Sequence, residues 1–133
     1  MLYMLDTNIC IYVIKRRSET VVNRMRAFRT GELGVSVMTV AELQYGVAKS
    51  VQKERNQVAL GAFLLPLDIV EFTVDATVVY GRIRAESEAQ GRLLGPLDTL
   101  IAAHALSLDV VLATNNTRKF ERVRGLRMDD WTQ

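Results

Sequence analysis

The first eight residues, Met1-Leu2-Tyr3-Met4-Leu5-Asp6-Thr7-Asn8 (MLYMLDTN), carry the reading that decides the fold. Leu2–Leu5 is a short apolar run without polar alternation, the pattern of a strand buried on both faces. It ends in Asp6, and a helical stretch, Thr7–Lys15, follows at once. The same order of apolar strand, polar edge residue and helix returns along the chain. Leu33–Val37 is a second short strand, before a helix opening at Thr39 with Val40, Leu43 and Val47 on one stripe. Asp68–Phe72 is a third, before a helix over Ala76–Gln90 that Asp75 caps and Gly91 ends. Val110–Ala113 is a fourth, followed by an Asn115-Asn116 turn, a short helix through Phe120 and a last edge strand at Leu126–Met128. Helices over Glu19–Thr30, Glu54–Leu65 and Asp98–Leu108 fill the remaining intervals; in the first of them Val21, Val22, Met25 and Phe28 recur at helical spacing, and Thr30-Gly31 stops it. Strands alternating with helices predict an α/β protein: a three-layer α/β/α sandwich around a short, mostly parallel central sheet.

Composition narrows the class. With 133 residues, no linker and no repeat, one domain spanning 1–133 is expected. A 49% hydrophobic, 24% charged chain with net charge +2 does not have the composition of disorder. The single Cys, Cys10, cannot form an internal disulfide, and no apolar run approaches the roughly 18–20 residues of a membrane span. The first residues also lack the basic and long apolar regions of a signal peptide, so a cytoplasmic protein is expected. A mean hydropathy of +0.09 in so small a chain suggests an apolar surface covered by a partner. Basic residues gather in the first half: residues 1–60 hold nine Lys/Arg against five Asp/Glu. The clusters are Lys15, Arg16 and Arg17, then Arg24, Arg26 and Arg29, with a further group at Arg82, Arg84 and Arg92.

In a parallel α/β sheet the carboxyl ends of the strands and the N-termini of the following helices share one edge, where ligands bind. The alternation sends Asp6, Glu42 and Asp98 to that edge, with Thr114, Asn115 and Asn116. Each acid also has a capping role open to it: Asp6 and Asp98 at helix starts, and Glu42 at capping-box spacing from Thr39. Capping explains each one separately but not their convergence. Three adjacent carboxylates repel unless a cation neutralises them, and a hard ion with oxygen ligands, Mg2+ or Mn2+, suits such a site.

Four segments in order carry a resemblance: MLDTN at the start, Glu42-Leu43-Gln44-Tyr45-Gly46, GPLDTLIAAHA at Gly95–Ala105 and TNNTRKFERV at Thr114–Val123. Together with the closing LRMDDW they resemble PIN-domain proteins, and within these the VapC toxins of bacterial toxin–antitoxin pairs, essentially end to end. The resemblance implies a metal-dependent endoribonuclease with Asp6, Glu42 and Asp98 as its acidic residues. Asp6 and Asp98 would bind Mg2+ or Mn2+, and Glu42 would complete the ligand set or orient the attacking water. The family's fourth polar position, often an Asp, falls on Asn116, a neutral group, which argues against a tightly held second metal. Thr114, Thr7 and Asn8 are the groups expected to hydrogen-bond ligands and their waters. The resemblance also implies a homodimer, silencing by a small VapB-type antitoxin that can insert a basic side chain among the acids, and an RNA substrate, with initiator tRNA cut in its anticodon stem-loop as the expected target.

Phosphate contacts are expected from Lys15, Arg16 and Arg17 or from Arg82, Arg84 and Arg92. Tyr12, Tyr45 and Tyr80 could stack on bases, although burial suits each of them better. His104, the only His, lies between alanines away from its helix start and reads as a buried structural group; Cys10 reads as an apolar filler and Trp131 as a residue packing the C-terminus onto the domain. Three other readings compete. A haloacid-dehalogenase-like phosphatase needs an Asp where Asn8 stands, and a receiver domain needs adjacent acids after the first strand, where Asp6-Thr7 stands. A PIN-like module that only binds RNA or protein is kept open by Asn116.

Overall fold

The computed structural model describes residues 1–133. Five strands, β1 (Tyr3–Leu5), β2 (Leu33–Ser36), β3 (Asp68–Val70), β4 (Val111–Thr114) and β5 (Met128–Asp130), pair in parallel in the order β3-β2-β1-β4-β5. Seven helices connect and cover them: α1 (Thr7–Ile14), α2 (Glu19–Arg26), α3 (Val37–Ala48), α4 (Lys53–Leu64), α5 (Val74–Ala89), α6 (Pro96–Ser107) and α7 (Thr117–Phe120). The chain runs outward from β1 through β2 to β3, then crosses back to lay β4 on the other side of β1. The order therefore reverses between β1 and β4, and a crevice opens there beyond the strand ends.

The apolar strands without alternation are explained by the two cores. Successive strand residues point to opposite faces. Met4 and Leu112 enter one core with Ile83, Ile101 and Phe120; Leu5, Val35 and Ala113 enter the other with Ile9, Val21, Leu43 and Trp131. Ala102, Ala103 and Ala105 are fully buried on α6, and their small side chains let that helix lie close against the sheet. Gly34, buried in β2, fills a place no side chain could occupy: a Cβ there would stand 2.1 Å from Met1 Sδ and 2.9 Å from the Asp68 carbonyl oxygen of the neighbouring strand.

The three-layer arrangement agrees with the sequence reading; the element ends differ in instructive ways. Ser36, not Thr39, caps α3, its hydroxyl accepting from the Met38 N–H at 3.0 Å. Thr39 is buried inside the helix, so Glu42 stands in the second turn and no capping box forms. Asp98 is not the cap of α6 either; Gly95 holds that position and Pro96 opens the helix. Thr73 precedes α5 and Asp75 lies in its first turn. α2 stops at Arg26, freeing Phe28 to turn back and stack on Trp131 at 5.6 Å. β5 sits two residues later than expected, because Trp131 pulls the chain end inward and its backbone N–H donates to the Thr114 carbonyl at 3.1 Å.

His104 is a structural group, as its apolar neighbours suggested. It is 1% exposed, with Nδ1 2.8 Å from Ser36 Oγ and Nε2 3.0 Å from the Glu71 carbonyl oxygen. Nε2–H donates to the carbonyl, and in the neutral ring Nδ1 accepts from the Ser36 hydroxyl. Burial pushes its pKa below the usual 6.5, against a smaller opposing pull from the Glu71 carbonyl. The unfolded chain then binds a proton before the folded one, so this group's share of stability is complete above about pH 6.5 and erodes as pH falls below it. An NMR titration of the one imidazole is expected to give a midpoint below that of a free histidine; a midpoint at or above it would contradict the assignment.

Candidate active site

Asp6 follows the last residue of β1, the central strand, and caps α1: its Oδ1 accepts from the Ile9 N–H at 2.9 Å. It is 3% exposed. Burial is the largest influence on its carboxyl and raises the pKa above the usual value, while the Thr114 hydroxyl, the Ile9 N–H and the charge of Lys119 pull it down and Asp98 pushes it up. Asp6 and Asp98 are thus electrostatic neighbours, as the edge argument required. Asp98 occupies the first turn of α6, where free backbone N–H groups favour a carboxylate.

Between them stands a residue the sequence reading did not single out. Lys119 Nζ lies 3.3 Å from Asp98 Oδ2, both side chains being about 30% exposed. Lys119 is carried by α7, immediately after β4, and its N–H donates to Asn116 Oδ1 at 3.3 Å. Asn116 itself is exposed and caps α7; its own N–H donates to Thr114 Oγ1 at 3.1 Å. The signal was present in the sequence: an Asn cap at a strand end fixes the residue three places on, which here is Lys119.

Glu42, exposed on α3, lines the same groove as Asp6, Asp98 and Lys119. The groove encloses about 860 Å³ and runs from this acidic end between α1, α3 and α4. Its far part is apolar and basic, with Ile14, Val47 and Leu60 beside Lys15, Lys49 and Arg55. Tyr45, 57% exposed on its wall, carries Lys49 Nζ 4.7 Å over its ring, so this tyrosine is open to a ligand where burial had been expected. No three acidic, His or Cys side chains stand close enough together to form a ready-made cage for an ion. The donors at the acidic end are all oxygens, and a hard ion that keeps most of its waters needs only one or two of these carboxylates.

The remaining candidates divide by position. Thr7 lines the groove but its hydroxyl donates to Thr39 Oγ1 at 3.3 Å, and Asn8 Nδ2 donates to Asn115 Oδ1 at 3.4 Å; neither bonds a carboxylate. Tyr12 accepts from Asn115 at 3.3 Å. Of the basic groups, Lys15 lines the groove, whereas Arg16 and Arg17 lie exposed beyond α1. The α5 arginines are occupied: Arg82 pairs with Glu86 at 3.2 Å, and Arg84 pairs with Glu88 at 3.4 Å and donates to the half-buried Tyr80 at 3.2 Å. Arg92 is exposed past Gly91 and lines no part of the groove. Cys10 is fully buried, and burial together with the Asp6 charge keeps its thiol protonated, which excludes a nucleophile.

The PIN domain model matches residues 3–126. The chain is 44% identical to the tRNA(fMet)-specific endonuclease VapC of Shigella flexneri, covering 98% of each, and 41% identical to ribonuclease VapC2 of Rickettsia felis, again covering 98% of each. Among solved structures it is similar to VapBC2 from Rickettsia felis bound to a DNA fragment from their promoter, with a TM-score of 0.93, 40% identity and coverage of 98% of this chain and 99% of that one.

Proposed function

Because the chain belongs to the PIN-domain family, and within it to the VapC ribonucleases, we propose that it is an endoribonuclease toxin, with residues 1–133 acting as one catalytic domain and Asp6, Asp98 and Glu42 as its working carboxylates. The observation that carries this reading is the buried Asp6 carboxyl at the reversal point of the sheet, facing Asp98 and a lysine in an open groove. The substrate is an RNA phosphodiester, and initiator tRNA is the favoured target because the Shigella flexneri relative bears that specificity in its name. Hydrolysis breaks one phosphorus–oxygen bond and forms another to the oxygen of water; the water gives up a proton and the departing ribose oxygen takes one.

A divalent ion, Mg2+ or Mn2+, supplies neutralisation of the phosphoryl oxygens and a lowered water pKa when bound. Asp6 and Asp98 would hold it. Asp6 is oriented by the Ile9 N–H, which donates to its Oδ1 in the ion-free chain. Glu42, across the groove and free of other partners, orients the attacking water. Lys15, Lys49 and Arg55 draw the RNA backbone along the groove. Asn116 acts on the site through the lysine it caps.

The same groove offers a place for a VapB-type antitoxin. Its apolar floor suits an amphipathic segment, and its acidic end would accept a basic side chain in place of an ion. Silencing then follows from occupancy of the cleavage site itself. The protein acts in the cytoplasm on this reading, as a homodimer. The test is cleavage of initiator tRNA by the purified chain with Mg2+ or Mn2+, with EDTA and with an equimolar cognate antitoxin. Cleavage is expected only in the first case, reduced at least about 100-fold in the other two. Undiminished cleavage in EDTA would overturn the ion's role, and cleavage unaffected by antitoxin would overturn the shared groove.

A further inference from the structure

The groove's acidic end contains one cation of its own. Lys119 Nζ pairs with Asp98 at 3.3 Å, and its charge also reaches Asp6. It is held there from two directions. Asn116 Oδ1 receives its N–H, Asn116 is tied in turn to Thr114 Oγ1, and the Thr114 hydroxyl favours the charged form of Asp6. This chain of contacts fixes the backbone of Lys119 relative to the acids, while its four-carbon stem is about 30% exposed and has rotatable bonds enough to change partners.

Charge counting gives the consequence. Asp6, Glu42 and Asp98 bring three negative charges and Lys119 brings one positive. One divalent ion then makes the group neutral, and a second would leave it doubly positive. We propose that Lys119 takes the place of a second ion: Asp6 and Asp98 would hold a single divalent cation, and Lys119, at 3.3 Å from Asp98 in the ion-free chain, would supply the second positive charge to a non-bridging oxygen of the scissile phosphate. The role rests on the ribonuclease reading above. It needs no chemical step beyond the hydrolysis already described, since the lysine keeps its proton and acts through charge. A point charge on a flexible stem suits this exchange of partners better than a guanidinium held by two parallel hydrogen bonds.

The experiment is Mn2+ binding by calorimetry to the metal-free full chain, beside initiator-tRNA cleavage at saturating Mn2+, for the wild type, Lys119→Met and Lys119→Arg. The wild type is expected to bind one ion. Lys119→Met, which removes a competing charge, is expected to bind Mn2+ about tenfold more tightly and yet to cleave about 100-fold more slowly. Lys119→Arg is expected to keep single-ion binding and recover most of the rate. A lysine that only braced the fold would not move affinity and rate in opposite directions. Wild-type affinity or wild-type rate in Lys119→Met would overturn the role, as would two ions bound by the wild type. A wild type that binds no Mn2+ would overturn the ion-dependent reading beneath it as well, and is told apart by needing no variant. Thermal melting of each chain establishes that it is folded.

Discussion

Asp6→Asn and Asp98→Asn are each expected to lower RNA cleavage by at least about 100-fold, since each removes a charged oxygen donor rather than one of its outer partners. In the absence of ions the two variants part company in stability. The raised pKa of Asp6 means that burial outweighs the Thr114, Ile9 and Lys119 contacts that favour its charged form. Between the unfolded value near 3.9 and the higher folded value, the folded chain holds more protons than the unfolded one, so stability falls as pH rises through that window. At neutral pH the ionised group is therefore a net cost. Asparagine keeps the cap oxygen for the Ile9 N–H and carries no charge. Ion-free Asp6→Asn should melt above the wild type. Asp98→Asn should melt slightly below it, by under about 1 kcal/mol, because it loses a half-exposed pairing with Lys119 and a carboxylate at a helix start. Added Mn2+ should raise the wild-type melting temperature and leave Asp6→Asn unmoved. Ion-free melting of Asp6→Asn at or below that of Asp98→Asn would contradict the balance argued for Asp6, and retained cleavage in either variant would remove it from the reaction.

Trp131→Ala is expected to cost about 3–5 kcal/mol, the range for truncating a large buried aromatic. Trp131 is fully buried two residues from the end of the sequence, stacked on Phe28 at 5.6 Å, tilted against Tyr3 at 5.8 Å, with the Arg24 guanidinium 5.5 Å from its ring centre. Arg24 in turn pairs with Asp129 of β5. One side chain thus fastens β5, the end of α2 and the first strand together. For a chain of this length the loss corresponds to a melting temperature lower by about 10–20 °C, measurable by circular dichroism. Trp131→Phe should be far milder. The indole N–H is buried without a hydrogen-bond partner, so phenylalanine loses some packing and the Arg24 contact but also removes an unpaired donor. Equal losses in the two variants would refute that account. The Trp131 N–H that donates to the Thr114 carbonyl at the end of β4 is a backbone group and is kept in both variants.

Much of this was legible in the order of residues. Buried parallel strands cannot alternate polar and apolar positions, so MLYML, LGVSV and VVLA announced a sheet covered on both faces. Once that was read, Asp6 and Thr114 had to lie at its working edge. The less legible parts were those set by local competition. Ser36 took the cap of α3 from Thr39, because the Ser36 hydroxyl lies at the strand end where it can meet both the Met38 N–H and His104. The α5 arginines looked available in the sequence, but acids one helical turn away occupy two of them.

The pattern of hydrophobic residues was enough to establish the α/β class, the parallel sheet and the edge that holds the acids, because backbone geometry ties those features to spacings of two and of three to four residues. Which charges meet across that edge follows from packing over long sequence distances, and spacing carries no information about it. Lys119 reached Asp98 through a four-residue helix fixed by an asparagine cap, and Lys49 and Arg55 reached the groove because α3 and α4 pack against α1. Coulomb interactions fall off with distance in space, not along the chain. The net charge of +2 therefore could not show a groove with three acids and a lysine at one end and three basic residues at the other.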